Sequence, residues 1–387
     1  MADFTLATAS AKEEWSAQYA AEYIRDSALL AYMGTDETSI IRVRNELLGT
    51  AGAAVHFPLV QRLRGAGVTG GSVLYGAEEA QGNYSDCVRT SLIRNAVMIT
   101  EDQSYKTEID LYNAGRASLK NWSAEKLRDD VITALGSVIV RQGGSNGEDS
   151  AIAFETATPT QRDVHFGNNS DRVLFGTNNG NKSATGALGG ASPVTSASVS
   201  FANSALNVTA GMTMSAAILL KAKTLAKKAG AIVGTSHIAP FKSDMTKGQE
   251  YFVLFVGSEG FRDLSADATI NAANTYARGR EGNAMDSNPL FQDGDLLYRG
   301  IIIREVPEMP LLSVTGAASA PLAQAFLCGQ SAVAVAWSKK PNPRTQQFDY
   351  GHRNGAGISE IRGQKKVSFN GSQYGVVTLV HSAPSDA

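Results

Sequence analysis

Apolar and polar residues alternate from Ala54 onward: Val55, Phe57 and Leu59 form one row, Ala54, His56 and Pro58 the other, and Leu63 follows after a slip. This period of two predicts a strand. Pro58 cannot donate to a ladder, so the strand is expected at an edge or protruding. A second extended segment is predicted in DCVRTSLIRNAVMIT, where Val88, Thr90 and Leu92, then Val97 and Ile99, recur at every second position. Residues 10–33 have the helical period instead. Trp15, Tyr19, Tyr23 and Ala20, Ile24, Ala28 recur at i, i+4, Ser10 with Glu13 makes a capping box, and Gly34 supplies the stop. The next helix is long. From Thr100 to Gly136 there is no proline, and Tyr105, Ile109, Tyr112, Leu119, Leu127, Val131 and Leu135 mark a core stripe with one weak position near Arg116. Such a helix would extend on the order of 50 Å at ~1.5 Å per residue. Gly115 inside it costs about 1 kcal/mol against alanine, so tertiary packing must hold it there.

Beyond Arg141 the pattern weakens. Residues 141–204 are rich in Gly, Asn and Ser and read as loop or short strand with few core-filling residues, either surface decoration or a flap. A compact α/β section follows. TAGMTMSAAILLKAKTLAKKAG predicts a helix capped by Thr209 and ended by Gly230, with Lys227 and Lys228 suited to its C-terminal dipole. EYFVLFVGSEGFRDLSAD reads as a buried strand turning into a helix, and DATINAANTYARG as a further helix. LLYRGIIIREV and AVAVAW read as strands, and the stretch from Gln347 to Ala383 alternates like an antiparallel sheet. There are no internal repeats.

Composition narrows the class. The chain has 387 residues, room for one large domain or two to three smaller ones, with 43% apolar and 19% charged residues. A net charge of −2 gives no global basic field, whereas proteins that grip nucleic acid directly are usually more basic. Two cysteines, Cys87 and Cys328, exclude a disulfide framework and fit a reducing compartment or a fold indifferent to redox state. The opening MADFTLATASAKEEW has neither a basic n-region nor an apolar h-region, so no signal peptide is expected. Apolar runs such as SAAILLKAKTLA fall short of the ~20 residues a membrane span needs, and this one carries lysine.

One stretch raises the question of chemistry. GAGVTG, Gly65 to Gly70, fits the G-x-G-x-x-G spacing that cradles a pyrophosphate. That fingerprint needs a strand before the glycines and a helix opening on the last one. The strand is present, but SVLYGAEEAQGNYS on the far side has two more glycines and no helical period. Two extended arms joined by a glycine-rich tip fit better, with glycine easing the turn. Such a hairpin cannot bury itself in water, so its Val, Leu and Tyr residues call for another surface, a neighbouring subunit. The five histidines, His56, His165, His237, His352 and His381, are scattered, and neither cysteine stands at metal-ligand spacing from one. GTSHI around Ser236 lacks the closing glycine of a nucleophile elbow, and QDGDL at Asp293 and Asp295 is too short for a calcium loop. RGQKK, with Arg362, Lys365 and Lys366, could face phosphate but reads by default as a solvated or subunit-facing charge run. No catalytic constellation emerges, and neither enzyme activity, cofactor nor metal is expected.

Taken in order, a helical arm, a long hairpin, a spine helix, an α/β section and a returning sheet resemble the HK97-like α+β fold of tailed-phage major capsid proteins. RLRGAGVTGGSVLYGAEEA (62–80), NPLF (288–291) before LLYRGIIIREV, and FDYGHRNGAGISEIRGQKKVSFNGSQYGVV (348–377) are similar to segments of the branch typified by the N-four-like podophages. The resemblance implies an N-terminal arm (1–51), an E-loop lying over a neighbour (52–98), a spine helix of the peripheral domain (99–140), an insertion (141–204), an axial domain (205–340) and C-terminal strands of the peripheral domain (341–387). It implies a coat protein forming pentamers and hexamers of an icosahedral shell around double-stranded DNA, held without sequence-specific binding. The partners expected are many copies of itself, with scaffolding, decoration and portal proteins, in a virion assembled in the host cytoplasm and without membrane contact. Inter-subunit contacts are expected at Arg62, Arg64, Glu78 and Glu79 around the tip glycines Gly65, Gly67 and Gly70, and at Trp15 and Tyr19 of the arm. Plain solvation of the four charges stands beside that reading, since an exposed ion pair contributes only ~0–1 kcal/mol. Gly49 and Gly52 are the expected hinge of the E-loop. An encapsulin-like compartment with the same fold, and a nucleotide enzyme using Gly65 to Gly70, remain as alternatives.

Overall fold

The computed structural model describes residues 32–49, 52–60, 63, 67–71, 74–75, 78–79, 83–106, 111–142, 147–176, 178–179, 200–229, 238–241, 251–273 and 296–385. They fall into two compact units. The first draws on residues 1–55, 88–135 and 333–365, and the second on residues 56–87, 136–332 and 366–387.

The first unit is built on a five-stranded sheet in the order Met33–Gly34, Ile41–Arg44, Val333–Phe348, Arg353–Lys366, Ser91–Thr100. The last pair is antiparallel, with Arg353 opposite Thr100 and Arg362 opposite Ser91. Alternation decides which side chains meet the long helix Leu111–Gly136. Leu119 of the helix packs with Ala356 and Ile358 of the sheet, joined by Val97, Tyr112 and Trp122. Leu92 and Met98, on the other row, are exposed. Gly115 sits where a Cβ would lie 3.3 Å from a Val97 methyl, which supplies the packing its helical position requires. Leu119, Leu127, Val131 and Leu135 are buried as their spacing predicts, but Tyr105, on the helical stretch Glu101–Lys106, is exposed. Residues 107–110, with Ile109, lie outside the described residues.

The second unit centres on a seven-stranded mixed sheet. Its order is Leu296–Tyr298, Ile301–Glu305, Phe252–Val256, Leu322–Cys328, Val376–Ser382, Val173–Phe175, Asn178–Asn179. Phe252–Val256, Leu322–Cys328 and Val376–Ser382 are buried along their whole length. Their near-continuous apolar runs are what a sheet covered on both faces needs. One core gathers Ile218, Leu219 and Ala222 of helix Ala216–Lys228 with Leu254, Leu327 and Leu379. The other gathers Phe154, Phe166, Phe175 and Phe201 with Val173, Leu322 and Val380.

That second core corrects the reading of residues 141–204 as poor in core-filling residues. Phe201 has its ring centroid 4.6 Å from Phe166, 5.3 Å from Phe154 and 5.8 Å from Phe175. Four phenylalanines spread among polar residues make a core that average composition hides, since each buries a large apolar area. Helix Pro159–Asn168 between them starts with a complete capping box, Thr158 with Gln161, and proline at its first turn. Residues 180–199 lie outside the described residues.

Two further expectations change. The segment 341–387 does not stay together: Arg353–Lys366 lies in the five-stranded sheet, while Val376–Ser382 pairs with Leu322–Cys328 in the seven-stranded one. The reason is burial. VVTLV has no polar row to offer a one-sided sheet, whereas NGAGISE does. Helix Ala216–Lys228 is not capped by Thr209. Its N-cap is Ser215, whose side chain makes no capping bond, and the Ala216 N–H donates instead to Asp267 Oδ2 at 2.9 Å. The other oxygen of Asp267 accepts the Thr269 N–H at 2.8 Å, so one carboxylate serves the amides of two helix starts. The Ala216 bond is the main reason its pKa is lowered, ahead of the bonds from Thr269 and Ile270. A lowered carboxyl pKa stabilises the fold above the ordinary value of 3.8 and loses that contribution as pH falls through the folded value. Asp267→Ala is therefore expected to cost roughly 1–2 kcal/mol in urea unfolding at pH 7. The gap from wild type should narrow as pH falls below 3.8; a gap unchanged by acid would show that the charge is not what matters.

Candidate assembly surfaces

The two arms predicted around the glycine stretch are present as strands Ala54–Val60 and Asn83–Arg89, which pair in a sheet of their own. Burial alternates as expected: Val55 and Phe57 are in, His56 and Pro58 are out. Near the base, the Thr90 N–H and hydroxyl both donate to the Ala53 carbonyl, at 3.0 and 3.3 Å. The second arm is pinned by Asp86, a buried carboxylate that accepts the Ser368 N–H at 3.0 Å and the Cys87 N–H at 2.9 Å.

From the end of the first strand the chain changes character. Val60, Leu63, Leu74 and Tyr75 are exposed, Tyr75 to 91%. With Val68, five large apolar residues are exposed within 16 positions of sequence, more apolar surface than water favours. Gly67 and Gly70 have left-handed φ of 68° and 73°, and nothing lies within 4 Å of where their Cβ atoms would be. The left-handed backbone is what requires glycine at both positions. None of the described residues from Gly71 to Glu79 is helical, where the dinucleotide fingerprint would open a helix.

The structure puts Gly67, Gly70, Glu78 and Glu79 on this exposed segment. Arg62, Arg64, Gly65, Trp15 and Tyr19 lie outside the described residues. Gly49 has a left-handed φ of 78° in the turn after Asn45, while Gly52 would bring a Cβ to 2.5 Å from a Leu47 methyl. No group of three or more metal-ligating side chains is found among the described residues, and no described helix is long and apolar enough to cross a membrane.

Two features escaped the sequence reading. The basic run RGQKK is not a solvated charge run: Arg362, Lys365 and Lys366 are all buried. Arg362 donates to Glu360 Oε1 at 2.8 Å, to Gln364 Oε1 at 3.1 Å and to Asp130 Oδ2 of the long helix at 2.7 Å. Its guanidinium stands 6.0 Å from the Trp337 ring centre. Gly363 completes the motif, since a Cβ there would lie 2.0 Å from the Arg89 carbonyl oxygen. The second feature is the turn Asp349–Gly351 at the end of the five-stranded sheet, where Tyr350 is fully exposed and Phe348 partly so.

Comparison with known proteins gives these surfaces a context. Residues 3–384 match the family described as phage capsid protein. A major capsid protein of Pseudomonas phage KPP25 is 23% identical over 98% of this chain and 97% of its own length. Among solved structures, a chain of the cyanophage Pam1 capsid asymmetric unit is 38% identical, with complete coverage of both chains and a TM-score of 0.77. The capsid of Ralstonia phage GP4 is 22% identical, covering 92% of this chain and 90% of its own, with a TM-score of 0.67.

Proposed function

Because the chain belongs to the phage capsid protein family and is a bacteriophage major capsid protein, a structural component of the virion and not an enzyme, we propose how its parts serve the shell. The exposure of Val60, Leu63, Val68, Leu74 and Tyr75 carries the reading. It is the E-loop tip, and it lies over a neighbouring copy, which removes Leu63, Leu74 and Tyr75 from water. Glu78 and Glu79, with Arg62 and Arg64, meet opposite charges there. Gly49 lets the loop swing. The unit with the five-stranded sheet takes the peripheral role. The unit with the seven-stranded sheet takes the axial role and meets its copies around five-fold and six-fold axes. The strand Val376–Ser382 goes with the axial unit.

A charge of −2 suits a wall that tolerates packaged double-stranded DNA without reading its sequence. Strength in such a shell comes from repetition, because each exposed ion pair contributes only ~0–1 kcal/mol. The matched relatives are phage capsid proteins, which favours this reading over a compartment enclosing an enzyme.

Electron microscopy of the purified chain, with sedimentation of the same sample, tests the reading. Closed shells, tubes or capsomer rings of one polypeptide are expected, from the chain alone or co-expressed with the other head proteins of its phage. A chain that stays monomeric in both settings would overturn it, and shells that co-purify with an enzyme would favour the compartment.

A further inference from the structure

Strands Val333–Phe348 and Arg353–Lys366 are joined by a turn with an unusual backbone. Asp349 and Tyr350 both take left-handed φ, 53° and 52°, before Gly351 at 94°. That conformation presses Cβ toward the following carbonyl, and a bulky ring is among the least suited side chains for it. Glycine at position 350 would relieve the strain, yet the chain carries a tyrosine whose ring is fully exposed. The turn is braced rather than loose: the His352 N–H donates to the Asp349 carbonyl at 2.9 Å, and the Glu101 N–H to the His352 carbonyl at 2.8 Å. An unfavourable backbone that presents a solvated aromatic contributes nothing evident to the fold. Strain of this kind persists where a binding role needs it.

We propose that Tyr350 is an anchor between subunits, and that its partner is a second copy of this chain. The proposal rests on the shell reading above. The tip is self-complementary: Asp349 and Arg353, both exposed and of opposite sign, flank the ring. Identical tips meeting around a shared axis place Asp349 of one copy against Arg353 of the next, a head-to-tail contact that closes into a ring. Within the ring, Tyr350 and Phe348 of adjacent tips cover one another. A rigid aromatic held in place before contact loses little entropy on docking, which is why such residues dominate interface energetics.

Tyr350→Gly separates an interface role from a folding role, because it relieves the backbone while removing the ring. The free chain should unfold at the same urea concentration as wild type or higher. Shell formation, followed by sedimentation, should need about tenfold more protein or worse, as expected for a hot-spot truncation. Tyr350→Phe should assemble like wild type. p-Benzoylphenylalanine placed at 350 and irradiated in assembled shells should link copies into dimers and higher ladders. If wild type forms shells and Tyr350→Gly forms them at the same concentration, the anchor is wrong and the shell reading stands. Photo-links only to a different head protein would also overturn it. A wild type that forms no shell, even with its partner head proteins, overturns the shell reading and the anchor with it.

Discussion

Arg362→Met should cost the chain about 3–5 kcal/mol of unfolding free energy, the range for breaking a buried charge pair from one side. The arginine is 0% exposed and Glu360 is 1% exposed. Removing the guanidinium takes a 2.8 Å charged partner from the buried Glu360 carboxylate, in an interior where losing one is costly. It also cuts the 2.7 Å bond to Asp130, which ties the long helix to the sheet. Asp130 loses less, because its other oxygen keeps Lys126 at 2.8 Å and its side chain still reaches solvent. The double variant Glu360→Met with Arg362→Met is therefore expected to recover much of the loss, since the buried carboxylate is removed together with its charged partner. Urea unfolding of the dispersed full-length chain, followed by tryptophan fluorescence, reads this locally: Trp122 and Trp337 both belong to the same unit as the cluster. A single-variant cost below about 1 kcal/mol, the level of an exposed pair, would show that the cluster is solvated in solution.

The same cluster shows where sequence stops being legible. Strands whose rows were visible as letters, Val55 with Phe57 or FVLFV, could be placed because burial follows a local period. The arms on either side of the glycine stretch could be read as extended for the same local reason. RGQKK could not be placed. Its letters look solvated, and what buries Arg362 is a carboxylate 232 positions away together with a glycine fitted against the Arg89 backbone. The cap of helix Ala216–Lys228 failed for the same reason, because its acceptor, Asp267, lies 51 positions downstream. Tyr350 was invisible for a different one. Asp-Tyr-Gly is no consensus for a left-handed turn, and a tyrosine beside a phenylalanine reads as core until its exposure is seen. At the hairpin, the period of the arms was legible. Exposure was not, because it depends on what the rest of the chain leaves uncovered.

Lys366→Met should stabilise the chain at neutral pH and flatten its alkaline stability profile. Lys366 is 1% exposed, and burial pushes its pKa from the ordinary 10.5 down to about 7, with the nearby Cys328 thiol opposing the shift. The groups around it are held neutral by the same dry environment: burial raises the pKa of Cys328 and lowers that of His165, to which Lys366 adds. In the unfolded chain the lysine keeps its proton up to its ordinary pKa, while in the folded chain it gives the proton up near 7. Between those values the unfolded state binds more protons, so stability rises with pH, by at most roughly tenfold in the folding equilibrium per pH unit. Below about pH 7 both states are protonated and the penalty for the buried ammonium is constant and largest. Methionine has a similar length and no charge, so it removes the penalty and the slope together. Urea midpoints of wild type and variant, measured from pH 6 to 10, should stand apart by a few kcal/mol equivalents at pH 6–7 and converge toward pH 10. Profiles that run parallel across that range would mean Lys366 keeps its proton when folded, held by water or an anion in the core.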